Sequence, residues 1–587
     1  MTSGMSAFIA HILRPGRSDP RDLRLDCFVL ILLAVLLIAT GIGLRDPWPA
    51  DEPRFVLVAS DMMLSGDWLI PQVGADIYAD KPPLFFWLLA ICMSVMHSVR
   101  AGFLLPSLLA GVGCVLLVYD LVRRLWNRET GLIAGLALLF SVQFVWQARQ
   151  AQIDAMLCFW TTLGIYGLLR HCLLGPAWRW YVVGWAAAGF GIITKGVGFL
   201  PLLILIPFAF WRHGQWTPRV AFAGGWRWML GPVALLAAVS IWLVPMLLAA
   251  QGDPQLAAYR DEILFRQTVN RYASAWHHRE PFWYFLVEVI PVLWLPLTAL
   301  LPWLWPHWRE AFRVRDLRVA LPLIWVVLVV LFFSLSSGKR GVYVLPALPA
   351  LVLAAAPFLN SLATRRGPQR TLFAIACFVA GVCLAGSLYL LGDTVTRQKM
   401  MDQYEIDAVD PLLAIGVVSA VVCAVARPQR GFIAFAGLLT SILLVVSFRV
   451  NPVINDVRSG AGFVGKVEQQ AASLSPGREL GFVAYKEQYL LYLTRPVVNF
   501  GHARWRDAGQ EAADAAAWMA ADPTRLLLVD ETVRKQCFAS ARAQEVAMAN
   551  RIMWSLVTGA ADPECVKKGN LAAARSYTRG VGLRAAH

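Results

Sequence analysis

Apolar positions in this chain fall in long unbroken runs, not in the alternating or 3.6-residue patterns of a soluble fold. Runs of about 15–22 residues recur up to about residue 450, the length a helix needs to cross the hydrocarbon core of a bilayer. Thirteen of them predict membrane-spanning helices, near 27–44, 101–122, 131–147, 155–172, 180–194, 197–211, 229–250, 283–304, 319–336, 342–360, 371–391, 410–426 and 431–448. A fourteenth, 84–97, is short and opens on Lys81-Pro82-Pro83. From about 451 the pattern changes. Short strand-like segments such as "LGFVAY" and "RLLLVD" alternate with helix-compatible stretches such as "DAGQEAADAAAWMA", which predicts a small soluble α/β domain over 451–587.

Basic residues orient the runs. With Arg14, Arg17, Arg21 and Arg24 inside, every inside loop is basic if 84–97 does not span: Arg123/Arg124/Arg128, Arg170/Arg179, Arg212/Arg219/Arg227, Arg309/Arg313/Arg315/Arg318, Arg365/Arg366/Arg370 and Arg427/Arg430. If 84–97 spanned, all of these would be inverted. It is therefore expected to be a surface or re-entrant helix, with further surface structure in 45–97 and 251–282. An odd number of spans places 451–587 outside.

Composition agrees with this picture. The 587 residues are 58% hydrophobic and 16% charged, with a net charge of +15. In a soluble protein that charge would point to nucleic acid. Here it is mostly accounted for by the inside loops, so no nucleic-acid partner is expected. Eight of the ten cysteines lie in or beside apolar runs, while Cys537 and Cys565 lie in the polar C-terminal region. A disulfide between those two suits an oxidising compartment. Walker, dinucleotide, zinc-protease and serine-hydrolase motifs are lacking.

The candidate chemistry lies in the outside loops, where basic residues break the topology rule. "DPWPADEPRF" sets Asp51, Glu52 and Arg54 directly after the first span. Asp51 before Glu52-Pro53 also suits a helix N-cap, but the same loop carries "IYADKPPLFFW". There Lys81 either contacts a lipid phosphate or snorkels, and Tyr78 is either a hydrogen-bond donor or an interface aromatic. "QARQAQIDAM" carries Arg149 and Asp154, and Asp154 either caps its span or serves a site. Lys195 in "TKG" reads first as a charged hairpin tip and second as an anion contact. The loop 251–282 holds Arg266, Arg271, His277 and His278; adjacent histidines are poorly spaced as metal ligands on one helix. "SLSSGKRGVYVLP" places Lys339, Arg340 and Tyr343 in an outside turn.

These blocks, in order, resemble the GT-C glycosyltransferases of the protein O-mannosyltransferase superfamily. Within it they resemble the bacterial 4-amino-4-deoxy-L-arabinose (aminoarabinose) lipid A transferases. The resemblance covers about 40–350 well and the C-terminal region weakly. It implies a polytopic α-helical GT-C fold of about 13 transmembrane helices in the bacterial inner membrane, with the active site and C-terminal domain periplasmic. It implies an undecaprenyl-phosphate-linked aminoarabinose donor, lipid A phosphate as acceptor, and resistance to polymyxin and cationic peptides. Lys81 and Arg266 are then expected to hold the donor phosphate, with Tyr78 and Tyr343 as donors. Asp51 and Asp154 are expected to orient acceptor or sugar, supported by Glu52 and Arg54, with Lys195, Lys339, Arg340 and His278 in reserve. No cofactor is expected to be required, and a divalent metal is left open. Three alternatives are a related polyprenyl-phosphate-sugar transferase with another acceptor, a secondary transporter and a structural assembly subunit. Clean apolar span centres disfavour transport, which tends to place ionisable groups at the midplane.

Overall fold

The computed structural model describes residues 20–211, 224–265, 279–404, 406–474, 476, 479–501, 508–522 and 524–579. Each of the thirteen apolar runs falls on helical residues, because backbone groups out of reach of water are satisfied within a helix. Among the described residues eight helices are long and apolar enough to cross a membrane. Two bent pairs, Arg128–Leu139 with Val142–Ala148 and Phe285–Leu293 with Thr298–Arg313, raise that to as many as ten. The chain is a multi-pass membrane protein.

The other three runs are helical but fall short of that test. Helix α1 (Pro20–Ile38) starts with four charged residues, Arg21, Asp22, Arg24 and Asp26. Trp178–Lys195 ends on a charge, and Val197–Trp211 is short and begins as a 3-10 helix. The polar start of α1 is built into the bundle. Asp26 is fully buried and accepts hydrogen bonds from Arg128 Nε and Tyr119 Oη at 2.7 Å.

Two further helices flank one end of the bundle. Helix α2 (Glu52–Ser65) has Pro53 in its first turn and stops at Gly66, whose φ of +74° is the left-handed conformation glycine adopts without strain. Helix α3 (Leu84–Met96) has 13 residues and the shorter apolar character expected of 84–97. Phe55 of α2 meets Phe85 and Phe86 of α3 at ring separations of 5.8 and 5.7 Å. Between α2 and α3, the two-residue strands β1 (Gln72–Val73) and β2 (Asp76–Ile77) form a small antiparallel ladder.

The C-terminal residues build a six-stranded sheet from β3 (Leu480–Phe482), β4 (Val497–Asn499), β5 (Leu526–Asp530), β6 (Arg542–Ala549), β7 (Ile552–Thr558) and β8 (Arg575–Tyr577), in the order β6-β7-β5-β3-β4-β8. β3 runs parallel to β4 and β5; the other pairings are antiparallel. Both faces are covered, and alternate residues of β5 go to opposite sides. Leu527 and Val529 pack with Trp518 and Met519 of Ala508–Ala520. Leu526 and Leu528 share a core with Phe463 and Val467 of Ala461–Leu474, and with Phe55, Phe85 and Phe86. One face of the sheet is thus continuous with the core around α2 and α3. Residue 450 lies inside a helical run rather than a linker, since helix follows helix from Pro428 to Leu474. Cys537 and Cys565 form a disulfide, Cα–Cα 5.7 Å, tying Glu531–Cys537 to Pro563–Lys568.

Candidate functional site

The loop after α1 and the start of α2 carry two adjacent acids with different surroundings. Asp51 stands at the N-cap of α2, yet its side chain makes no capping hydrogen bond. It accepts from Arg54 Nη2 at 2.7 Å and from Arg340 Nη2 at 2.8 Å. The first of these spans three residues; the second joins α2 to a turn 289 positions away. Capping is therefore not the reason for an acid at Asp51. Burial opposes its ionisation, but the charges of Arg340 and then Arg54 outweigh it and hold its pKa below the usual carboxylate value, with Lys81 adding to the effect.

Glu52 faces the other way and is 5% exposed. It accepts from Arg45 Nη2 at 2.8 Å, from the Trp48 backbone N–H at 2.9 Å and from the Ala151 backbone N–H at 2.9 Å. It therefore braces the loop after α1 against the loop before helix α4 (Ile153–Leu174). Arg149 completes that brace, donating to the carbonyls of Leu37 and Thr40 and to Ser447 Oγ.

Asp154 lies in the first turn of α4 and is 7% exposed. Gln152 is the N-cap residue, and Asp154 pairs instead with Lys195 Nζ. Lys195 ends helix α5 (Trp178–Lys195), and the chain turns at Gly196, φ +69°. The first reading of Lys195, a solvated hairpin tip, does not hold. Its side chain is 14% exposed and its ammonium lies 4.4 Å from the centre of the Tyr343 ring. The interaction of α4 with α5 brings the two loops together, which no local pattern encodes.

Tyr343 and Arg340 lie in the same turn, and Arg340 senses Asp154 as well as Asp51. Its guanidinium pKa is raised: burial lowers it, and the charge of Asp51 outweighs that. The two acid–base pairs are thus neighbours in one cluster: Asp51 with Arg54 and Arg340, Asp154 with Lys195 and Tyr343. Lys81 is half-buried, donates to the Asp80 carbonyl at 2.8 Å, and contributes to the field at Asp51. Tyr78 is buried beneath Arg54, whose guanidinium is 5.8 Å from its ring centre, and packs edge-on against Phe86 at 5.8 Å. Burial pushes the Tyr78 phenol far up, so it stays protonated and a donor. Arg54 also approaches Glu487 at 3.9 Å, while its buried Nε has no hydrogen-bond partner among the described residues.

Lys339 parts company with Arg340. It is 5% exposed, and its ammonium donates to the carbonyls of Glu280 at 2.8 Å and Ser336 at 2.7 Å. Those bonds pin the turn to the preceding loop. Arg266, Arg271, His277 and His278 lie outside the described residues. Among the described residues no group of three or more His, Cys, Asp or Glu is placed to hold a metal ion.

Sequence reasoning did not anticipate Arg45, Glu487 or the pair Asp61–Tyr577, in which the phenol donates to both carboxylate oxygens at 2.9 and 3.0 Å. Glu487 and the Asp61–Tyr577 pair depend on partners far along the chain, and no motif marks any of them.

The family described as dolichyl-phosphate-mannose-protein mannosyltransferase matches residues 80–244. The chain is 30% identical over 333 residues to an undecaprenyl phosphate-alpha-4-amino-4-deoxy-L-arabinose arabinosyl transferase of Pseudomonas fluorescens, covering 55% of this chain and 58% of that protein. Its likeness to the corresponding transferase of Pseudomonas aeruginosa is also 30%, over 339 residues, 56% of this chain and 59% of the relative. The matched region thus spans less than two thirds of these relatives' length. Among solved structures, ArnT from Cupriavidus metallidurans bound to undecaprenyl phosphate superposes with a TM-score of 0.72 at 21% identity, over 90% of this chain and 97% of that one. That likeness shows a shared helical membrane fold, and with these relatives the resemblance read from the motif blocks is borne out.

Proposed function

We propose that this chain transfers 4-amino-4-deoxy-L-arabinose from undecaprenyl phosphate to phosphate groups of lipid A, on the periplasmic face of a bacterial inner membrane. The observation that carries the reading is the joining of two buried outside-loop acids to cations from other elements, Asp51 with Arg340 and Asp154 with Lys195. The names of the relatives supply the donor. We take the thirteen helical runs as spans, with every inside loop basic and the cluster and C-terminal sheet outside.

The chemistry follows from the charges. A lipid A phosphate is already ionised, so a strong general base is not needed. The departing polyprenyl phosphate must be stabilised, and fixed cations in a site shielded from water do this without reorganising. Lys81 takes the donor phosphate together with Arg266, and Arg54 with its unpartnered Nε and the Tyr78 and Tyr343 hydroxyls add donors. Asp51 and Asp154 orient the acceptor or the cationic sugar amine, and their pairing with Arg340 and Lys195 fixes both in place. No step in this scheme requires a metal or cofactor.

The test is transfer in vitro from a defined polyprenyl-phosphate aminoarabinose to lipid A, read as the mass gained by lipid A. Full transfer by Lys81→Ala would remove the phosphate assignment. The family match over 80–244 favours one second reading, a related polyprenyl-phosphate-sugar transferase with a protein acceptor. Transfer of sugar to protein with lipid A unchanged would select it.

A further inference from the structure

Helices α4 and Leu105–Leu125 end, away from the candidate site, in a second polar cluster. Asp154 starts α4 and Arg170 lies 16 positions on, about 24 Å along a helix at 1.5 Å per residue. At that end Asp120 accepts from Arg124 Nε at 2.6 Å and Tyr166 Oη at 2.6 Å, pairs with Arg123, and has Arg170 Nη1 at 3.9 Å. Three guanidiniums therefore share one carboxylate, an excess of two positive charges. Beside them opens a cleft of about 470 Å³ lined by Arg124, Arg170, Leu174, Gly175, Pro176 and Ala177. The arginines are partly enclosed, with side-chain exposures of 34% for Arg124 and 20% for Arg170.

We propose that this cleft binds the phosphodiester headgroup of an anionic phospholipid in the leaflet opposite the transfer site. Guanidinium suits it: it is weakly hydrated and matches phosphate oxygens in a fork. Charge excess alone would serve any phosphate. The surroundings select a lipid, because Leu174 and Pro176 form an apolar wall, and Trp180 stacks under Arg170 at 4.7 Å, as aromatics do at the headgroup level. Basic pockets between spans on the inside face are a recurrent form of lipid-headgroup recognition. The inference uses the orientation proposed above and is independent of the sugar and acceptor.

Native mass spectrometry of the full-length protein in detergent tests it, with phosphatidylglycerol, cardiolipin, phosphatidylethanolamine and inorganic phosphate as separate probes. Phosphatidylglycerol or cardiolipin is expected to stay bound where phosphatidylethanolamine does not. Arg124→Gln with Arg170→Gln should lower that occupancy about tenfold or more. Asp120→Asn, which raises the excess charge, should increase it, and this variant decides if the double variant fails to fold. Equal retention of phosphatidylethanolamine, unchanged binding in both variants, or displacement of the lipid by millimolar inorganic phosphate would each overturn the proposal, the last by identifying a free-phosphate site.

Discussion

Asp51 and Glu52 are neighbours in the chain with opposite duties, and their variants should part accordingly. Asp51 sits among Arg54, Arg340 and Lys81 with its pKa held down. Its ionised form therefore adds stability above the unfolded pKa, and that contribution fades as pH falls through the lower folded value. Arg340→Gln removes the largest favourable charge, so the acid limb of transfer activity should move to higher pH, and Arg340→Lys should restore part of the shift. A pH profile unchanged in Arg340→Gln would show that the pair does not set Asp51. Asp51→Asn should cut transfer by the folded protein roughly 10²-fold or more, beyond the stability lost with its charge. Glu52→Gln should act first on stability. It strips the charge that balances buried Arg45, at a cost of about 3–5 kcal/mol, seen as a lower Tm in detergent. The acids, Lys81 and Arg340 were legible in the sequence because they stand where topology forbids or does not need charge. Which acid faces the cluster was not, since both precede Pro53 and only their partners separate them, distant Arg340 for Asp51, nearby Arg45 and distant Ala151 for Glu52.

Helix α3 decides the topology on which those charge anomalies rest. Thirteen residues rise about 20 Å, short of the ~30 Å hydrocarbon core, and six of them pack inward, including Phe85, Phe86 and Leu89. If α3 lies along the outer surface, residues before α2 ends and after α3 ends share a side. In a Cys92→Ser background, Ser65→Cys and His97→Cys should both react with a membrane-impermeant maleimide added to spheroplasts. Labelling of one without the other would make α3 a span and invert the later loops. The long apolar runs were readable because composition alone sets them. The bends at 67° and 96° and the close seating of α4 on α5 were not, because they depend on tertiary packing.

On the scale of the whole molecule, the C-terminal sheet is part of the site's foundation, although alternating strands and helices suggested a separate module. Strand β8 crosses to α2, where Tyr577 hydrogen-bonds buried Asp61, and Arg575 pairs with Asp76 of β2. Asp61 lies on α2 about two turns past Arg54 and nearly three past the N-cap Asp51, so a shift of the sheet is transmitted along α2. Tyr577→Phe keeps the ring in its core and removes only the hydroxyl, leaving a buried carboxylate short of a donor. The loss should be about 1–3 kcal/mol in stability, with transfer falling at a temperature where the protein is still folded. Cys537→Ser with Cys565→Ser provides the contrast. It opens the loop across a sequence separation of 28, worth about 3–4 kcal/mol in the chain-entropy account. The disulfide joins Glu531–Cys537 and Pro563–Lys568, which pack with the face of the sheet turned away from α2. It should therefore lower Tm at least as much while leaving transfer by the folded protein near wild type. If both variants lowered transfer only in proportion to the unfolded fraction, the sheet would be a stabilising cap and α2 would hold Asp51 in place without it.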